Sequence, residues 1–446
     1  MDYTKFKELV VAEAERLGIT EYELYYQSAE SLSARVFLEE VDSFTASREG
    51  GVCFRCIAGG KMGYASTEEL SEVQAAFIVK RAFENARVVE SEEPVFLAPG
   101  GQRYQKMAAG MARMVSADDL IALALDTQKN LYQYGGQDGS MTQAVAEEST
   151  IAIVNSKGLD VSWGAALNAL MAEAVVEENG EKGNDYTLKA LPFGAMDRAA
   201  MAKEAVDKAI AGMGGDPAPT GSYSVVFAPK AVSGLLSVFS SVFSSEAAQK
   251  GLSRLAGKEG EVIAAPWVTL VDDPFCALSP MMMPFDAEGS PSYTKNVVEE
   301  GKLMTLLYNL KTAALAGKQT TGNAAKAGYD APIGLSPFTM YFAPGTLSRE
   351  ELLEKAGQGV YIQDLQGLHA GASPVTGDFS LQSAGFLIEN GKLGAPVKSF
   401  TVAGNFYDLL KNITALANDL EIPNALGKTA FGGPSILVDG LSVAGK

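Results

Sequence analysis

Residues 212–222 read GMGGDPAPTGS, with four glycines and two prolines in eleven positions. Neither a helix nor a strand continues through such a stretch, so it reads as a linker, and the patterns on its two sides differ. Upstream, Tyr3, Phe6, Leu9, Val10, Ala14 and Leu17 recur at three- and four-residue steps until Gly18, which predicts a helix. Strand-like stretches follow at 22–30, 31–40 and 43–66, with Gly50-Gly51 and Gly59-Gly60 read as turns. Ser66-Thr67-Glu68-Glu69 reads as a capping box opening a helix over 70–87. A further helix runs from about Ser116, a strand meander from Met141 to Leu188, and a helix over 196–212. Within the meander, IAIVNSKGLDVSW (151–163) is a hairpin turning at Ser156-Lys157-Gly158.

Downstream, YSVVFAP (223–229) is a strand and a helix is expected from Lys230 to about Lys250. Strands then dominate: VTLVDDP, SYTKNVVEEGKLMTLLYN, AGFLIENGKLGAPVKSFTV and PSILVDGLSV. Glu299-Glu300-Gly301-Lys302 and Glu389-Asn390-Gly391-Lys392 share one turn pattern. A short capped helix begins at Ser348, and FYDLLKNITALAND (406–419) reads as another. The expected class is therefore α+β, with a mixed α/β N-terminal domain over 1–215 and a strand-rich C-terminal domain over 222–446.

The 446 residues carry 36 Lys+Arg against 54 Asp+Glu, a net charge of −18. So acidic a surface repels phosphate backbones and anionic lipid, which argues against direct nucleic-acid or membrane binding. Three cysteines make no disulfide framework, the first residues have no apolar leader core, and no long uncharged apolar run is present, so cytoplasm is the expected location. There is one histidine, His369, which excludes an HExxH zinc helix and leaves only one imidazole for any Ser-His-Asp or Cys-His chemistry.

The constellations left are few. Cys53-Phe-Arg-Cys56 lies in a strand pattern, where residues three apart point to opposite faces, so the thiols should not meet. Gly317-Lys318 lacks the rest of a phosphate loop. Asp272-Asp273 reads first as a turn before Pro274 and second as a carboxylate pair for acid–base work. The segment from Gly367 through His369, Gly371, Pro374, Thr376 and Gly377 to Asp378 is dense in glycine and small polar residues, as a backbone approaching a ligand would be; its bland alternative is a long irregular loop. His369 with Asp378, or with the Asp272-Asp273 pair, is the one hydrolase the residues could build.

Several long blocks of this chain resemble the TldD/PmbA family, once labelled modulators of DNA gyrase. They are GGVCFRCIAGGKMGYASTEELS, IVNSKG, KGLSRLAGKEGEVIAAPWVTLVDDP, FDAEGSP, TTGNA, GLHAGASPVTGDFSLQSAGFLIENGK and GGPSILVDGLSVAGK, spread over nearly the whole length. The resemblance implies a cytoplasmic metalloprotease in which a TldD-type subunit carries an HExxxH zinc helix and a ligating cysteine near its C-terminus. In this chain the corresponding helix is LLSVFSSV (235–242), with Ser237 and Val242 at the histidine positions and Val238 at the glutamate, and GKTAFGGPSILVDG has no cysteine. That departure is similar to the PmbA/TldE branch, whose members lack the zinc motif. It implies a non-catalytic subunit of a heterodimer with no cofactor of its own. Zinc would sit on a TldD-like partner, and an unfolded peptide would be bound in a cleft near helix 230–250 and residues 367–380. The alternatives are the His369 hydrolase and a non-enzymatic peptide-binding homodimer.

Overall fold

The computed structural model describes residues 1–107 and 112–446. Its first part is one antiparallel sheet with helices packed on it. Helix α1 (Tyr3–Arg16), capped by the Asp2 carboxylate on the Lys5 N–H at 2.8 Å, leads into strands β1 (Tyr22–Phe37), β2 (Glu40–Ala58) and β3 (Lys61–Thr67). Helices α2 (Glu72–Val88) and α3 (Ala117–Gln133) precede β4 (Met141–Asn155), β5 (Asp160–Glu178) and β6 (Glu181–Lys189), and α4 (Arg198–Ala211) closes the unit. The strand order β3-β2-β1-β4-β5-β6 leaves β3 and β6 as edges. Two-residue turns at Leu38-Glu39, Gly59-Gly60 and Asn179-Gly180 have φ > 0 at both positions, the geometry whose twist matches the strands it joins.

Three expectations shift here. The stretches 22–30 and 31–40 merge into β1, which turns only at Leu38-Glu39. Gly50-Gly51 is no turn but lies inside β2, and a Cβ on Gly50 would stand 2.3 Å from the Gln27 carbonyl oxygen, so glycine allows the close pairing with β1. Ser66 and Thr67 pair with Cys53 and Val52 in the ladder, so α2 starts later, capped by Ser71 on the Gln74 N–H at 3.3 Å. The thiols of β2 point as the strand period demands: Cys56 packs with Phe6 and Ile78 under α1 and α2, and Cys53 packs on the other face with Tyr25 and Phe285. Both are free and buried, and burial pushes both thiol pKa values up, that of Cys56 to about 11, away from the reactive range.

The second part begins at β7 (Gly221–Phe227), beyond the glycine-proline linker. Helix α5 (Pro229–Phe239) follows, then α6 (Ser245–Gln249), β8 (Leu270–Asp272), β9 (Lys295–Glu299), β10 (Lys302–Leu303), α7 (Leu310–Leu315), β11 (Ala324–Ala325), β12 (Gly334–Leu335) and β13 (Thr339–Phe342). The chain continues through α8 (Arg349–Ala356), β14 (Gly359–Gln366), α9 (Leu368–Gly371), β15 (Asp378–Glu389), β16 (Lys392–Asn405), α10 (Phe406–Asn412), β17 (Ile413–Leu416), β18 (Ala430–Gly432) and β19 (Ile436–Ala444). These strands form a six-stranded sheet, β16-β15-β14-β7-β19-β17, a five-stranded sheet, β10-β9-β8-β13-β18, and the small pair β11-β12. Val232, Leu235, Leu236 and Phe239 of α5 are buried in the largest core, where Phe239 stacks on Phe406 at 4.5 Å between ring centres. The architecture is α+β, and Glu300-Gly301 and Asn390-Gly391 both adopt the expected positive-φ turn.

The helix expected over 230–250 is interrupted. It ends at Phe239, a tight 3₁₀ turn covers Ser240–Phe243, and Ser244 caps α6 by accepting from the Ala247 N–H at 3.3 Å. Serine hydroxyls compete for backbone groups, and this run holds five of them between 237 and 245. The helix expected over 406–419 likewise stops at Asn412, because Ile413–Leu416 finds a strand partner in β19. The two parts share a core in which Tyr25, Cys53 and Ile153 meet Met283, Phe285 and Phe338. Trp163 Nε1 donates to the Met282 carbonyl at 2.9 Å across the same seam.

Candidate functional site

A groove runs between edge strand β6 and the second part of the chain. Three connected cavities of about 620, 380 and 370 Å³ make it up, and all three are lined by Tyr186 and Lys230. Lys230, at the start of α5, stands 4.7 Å over the Tyr186 ring and 3.1 Å from the Asp364 carboxylate. Burial opposes its charge, but Asp364, Tyr186 and Asp185 together hold its ammonium above the ordinary lysine pKa, so it is charged at neutral pH.

The β6 wall is backbone. The Asn179-Gly180 turn makes Glu178 and Glu181 a hydrogen-bonded pair, so Gly183, Asp185 and Thr187 bond to β5 in alternation. Asn184, Tyr186 and Leu188 therefore turn their N–H and C=O groups away from β5, on the side that lines the groove. The Tyr186 N–H is taken by the Asp185 carboxylate at 2.7 Å. Thr187, buried in this wall, has an Oγ1 with no hydrogen-bond partner. An edge of this kind can pair with an extended chain through main-chain groups alone.

The sequence-predicted residues divide around this groove. Gly234 of α5 faces Leu368, whose Cδ1 would lie 3.3 Å from a Cβ at 234, so α9 seats on α5 and Leu368 lines the groove with Ser237. Ser237 is exposed and donates to the Gly234 carbonyl at 2.7 Å. Val238 is half-buried against the core, and Val242 is buried within the 3₁₀ turn, so of the three positions singled out in the sequence only Ser237 lines the groove. A hydroxyl and an isopropyl group standing where imidazoles would be needed do not fit zinc, and no group of three or more His, Cys, Asp or Glu side chains suited to a metal exists among the described residues.

The 367–380 segment folds back on itself. Gly367, with φ 73°, opens α9, and His369 is exposed on it. Gly371 lies against the Ser380 carbonyl, the Pro374 carbonyl accepts weakly from the Tyr407 hydroxyl at 3.5 Å, and the Thr376 carbonyl accepts from Asn405 Nδ2 at 2.9 Å. Gly377 has φ 79° and donates to the Ser373 carbonyl at 2.7 Å. Asp378 is held by Asn405 Nδ2 at 2.8 Å, and that bond with the Thr376 contact lowers its carboxyl pKa. Among the described residues no hydrogen bond or ion pair joins His369 to Asp378, so the expected pair is not formed. The Asp272-Asp273 pair divides too. Asp273 is the turn former, accepting from the Phe275 N–H at 3.0 Å, whereas Asp272 is wholly buried on Lys295. Lys318, of the phosphate-loop-like stretch, pairs with Glu259.

Sequence reasoning missed a buried polar network. The Asp286 carboxylate accepts from the Glu288, Ser290 and Ala324 N–H groups, each at 2.9 Å, which ties FDAEGSP to TTGNA. Glu288 is buried beside it and accepts from the Leu310 N–H at 2.8 Å, and Arg55 nearby is ion-paired to Glu23 at 2.7 Å. Burial first, and the neighbouring Asp286 second, push the Glu288 carboxyl well above the ordinary glutamate range, and burial pushes Asp286 up as well. The folded chain thus holds a proton on this pair more tightly than the unfolded chain does, and the stability this gives is present below the ordinary glutamate range and lost as pH rises above it. Glu288→Gln retains an acceptor for Leu310 and cannot ionise. It should melt above the parent at about pH 8.5, with the gap closing toward about pH 5; a gap independent of pH would mean that Glu288 is ionised throughout.

A mixed sheet-and-helix chain with this groove matches, part by part, the models of PmbA/TldA metallopeptidases: domain 1 over 22–86, the central domain over 112–213 and the C-terminal domain over 220–445. The chain belongs to the TldD/PmbA family. It is 25% identical over 429 residues to the metalloprotease PmbA homolog of Haemophilus influenzae, covering 93% of this chain and 90% of that one. A metalloprotease of Methanothermobacter thermautotrophicus is 28% identical over 403 residues, 86% and 84% of the two chains. The crystal structure of a Thermotoga maritima protein, described as a candidate modulator of a DNA gyrase, superposes with a TM-score of 0.88 at 29% identity, over 99% of this chain and all of that one (100%). TldE from Thermococcus kodakarensis shares the fold, with a TM-score of 0.89 at 22% identity over 99% of this chain and 100% of that one.

Proposed function

We propose that this chain is the zinc-free, PmbA/TldE-type subunit of a cytoplasmic TldD/TldE-type metalloprotease, and that with a TldD-like zinc-bearing partner it encloses an unfolded peptide. The observation that carries the reading is the combination at α5 and the 3₁₀ turn after it: the zinc-motif positions implied by the resemblance hold Ser237, Val238 and Val242, yet the helix still borders a long groove with an open strand edge. In this role β6 holds extended peptide by main-chain bonds, which suits substrates of varied sequence. The β1–β2 hairpin end exposes Phe37, Leu38, Val41 and Phe44, an apolar surface of the kind a partner subunit covers. Buried free thiols and the acidic surface suit a cytoplasmic protein, and among the described residues no helix is long and apolar enough to cross a membrane.

The test is metal content and peptidase activity of the purified chain, alone and after mixing with its own organism's TldD-like protein. Alone, as a monomer or homodimer, the chain should hold no stoichiometric zinc and cleave nothing. Mixed, the two should co-elute and show chelator-sensitive cleavage of unfolded peptide. Stoichiometric zinc in the lone chain, or chelator-resistant activity lost in His369→Ala, would overturn the proposal.

A further inference from the structure

We propose that a second cavity, at the seam between the two parts of the chain, binds an apolar ligand that ends in a carboxylate. The cavity measures about 420 Å³, within the range of roughly 300–1,000 Å³ that small-molecule sites occupy. Its walls are mostly apolar and come from both parts of the chain: Tyr25 and Ile151 from the sheet of the first part, Met283, Phe285, Leu335 and Phe338 from loops and the small β11-β12 pair of the second part. Two lysines, Lys326 and Lys428, also line it.

Lys326 is what singles the cavity out. The described chain buries three cationic side chains, Arg55, Lys295 and Lys326. Arg55 has Glu23 at 2.7 Å and Lys295 has Asp272 at 3.0 Å. Lys326, with 9% of its surface exposed, has no carboxylate oxygen within 4.0 Å among the described residues; its Nζ lies instead 4.7 Å over the Tyr25 ring. Burial depresses its pKa and likewise that of Lys428, which has Glu147 as its neighbouring charge and no ion pair among the described residues. Asp286, on the cavity wall, accepts from three backbone N–H groups and forms no ion pair with either lysine among the described residues. A largely buried ammonium with no ion-pair partner is costly, even with Glu23 and Asp330 acting on it from farther off, and an anion entering an apolar cavity beside it relieves that cost. Two lysines supply point charges for a single compact anionic group, and the remaining wall offers the ligand hydrocarbon contact. An apolar body with one carboxylate satisfies both parts.

Such a group has two sources: a free apolar acid, or the free C-terminus of a peptide ending in an apolar residue. Thr429 lines both this cavity and the groove beside α5, so the two sites adjoin. Calorimetric titration of the full chain with decanoate, with a short peptide ending in leucine, and with the amides of both separates them. A carboxylate should bind and its amide should bind about tenfold or more weakly, the loss expected of a charge-assisted contact; which of the two carboxylates binds names the source. Lys326→Met should weaken the carboxylate about tenfold or more without lowering the melting temperature, since it removes an uncompensated charge and keeps the chain length. Lys428→Met, at a less buried position, should weaken it too and serves if the first variant does not fold. Absence of binding by both carboxylates, equal binding of acid and amide, or unchanged affinity in these variants overturns the proposal. None of these readouts depends on peptide cleavage or on a partner subunit, so its failure would leave the subunit reading standing.

Discussion

Asp272→Ala should cost the folded chain about 3–5 kcal/mol, the range for removing one member of a buried ion pair. Asp272 has no exposed surface, and Lys295, its partner at 3.0 Å, keeps only 5% of its side chain exposed. The same carboxylate accepts from Asn323 Nδ2 at 2.7 Å and from the Phe338 N–H at 2.7 Å. Alanine would strand an ammonium, an amide and a backbone donor at once, and the rings of Tyr293 and Phe338 over Lys295, at 4.7 and 6.0 Å, offset only part of that loss. The damage falls in the middle of a sheet, since β8 pairs with both β9 and β13. Chemical denaturation is the measurement. Asp272→Asn, which keeps an acceptor, should lose less, and a double change to Asp272→Leu with Lys295→Met should recover only the part due to the stranded ammonium, since Asn323 and the Phe338 N–H still lose their acceptor. A loss below about 1 kcal/mol in the alanine variant would show that water or a local shift already satisfies the lysine.

The contrast between that site and the rest of the chain shows what a linear reading can reach. Period-two patterning placed Cys53 and Cys56 on opposite faces, and glycine at the second turn position foretold the hairpins at Glu300-Gly301 and Asn390-Gly391, because both signals are local. Ser348 was legible as a helix start for the same reason: its hydroxyl and the Glu351 side chain cap each other within one turn. The same box at Ser66 misled, since the ladder with β2 claims those residues. Asp272, Lys295 and Asn323 are far apart in sequence, and only folding assembles them. The groove is equally non-local. Ser237 and the glycine-rich segment beginning at Gly367 were visible as unusual, but Leu368 was not singled out, the wall opposite is the backbone of β6, and a strand gives no sign in its sequence that it ends a sheet. His369 and Asp378 stand nine residues apart in one loop, yet Asn405, from the end of β16, takes the carboxylate.

If β6 holds the peptide, proline at Asn184 and Leu188 should slow cleavage by the assembled protease by roughly tenfold to a hundredfold. Each substitution removes one N–H that faces away from β5, and two main-chain bonds at about 0.5–1.5 kcal/mol each give a loss of that order. The ring also blocks the approach of a pairing strand. Proline is tolerated at an edge when its missing N–H was unused by the sheet, so the fold should survive. Asn184 is exposed, and neither side chain makes a hydrogen bond that the change would break. Asp185→Pro is the contrasting variant: its N–H faces β5, and its loss should lower the melting temperature instead. Asn184→Ala with Leu188→Met keeps both donors and should cleave at the parental rate. Co-elution with the TldD-like subunit is checked first, so that lost assembly is not mistaken for lost binding. The effect should fall on substrates long enough to span both positions and spare dipeptides, because only an extended chain reaches from Asn184 to Leu188, about 13 Å at 3.3 Å per residue. Parental rates on long peptides in a complex that assembles normally would remove β6 from the path of the substrate and leave the α5 side of the groove, with Lys230 and Leu368, as the wall to test next.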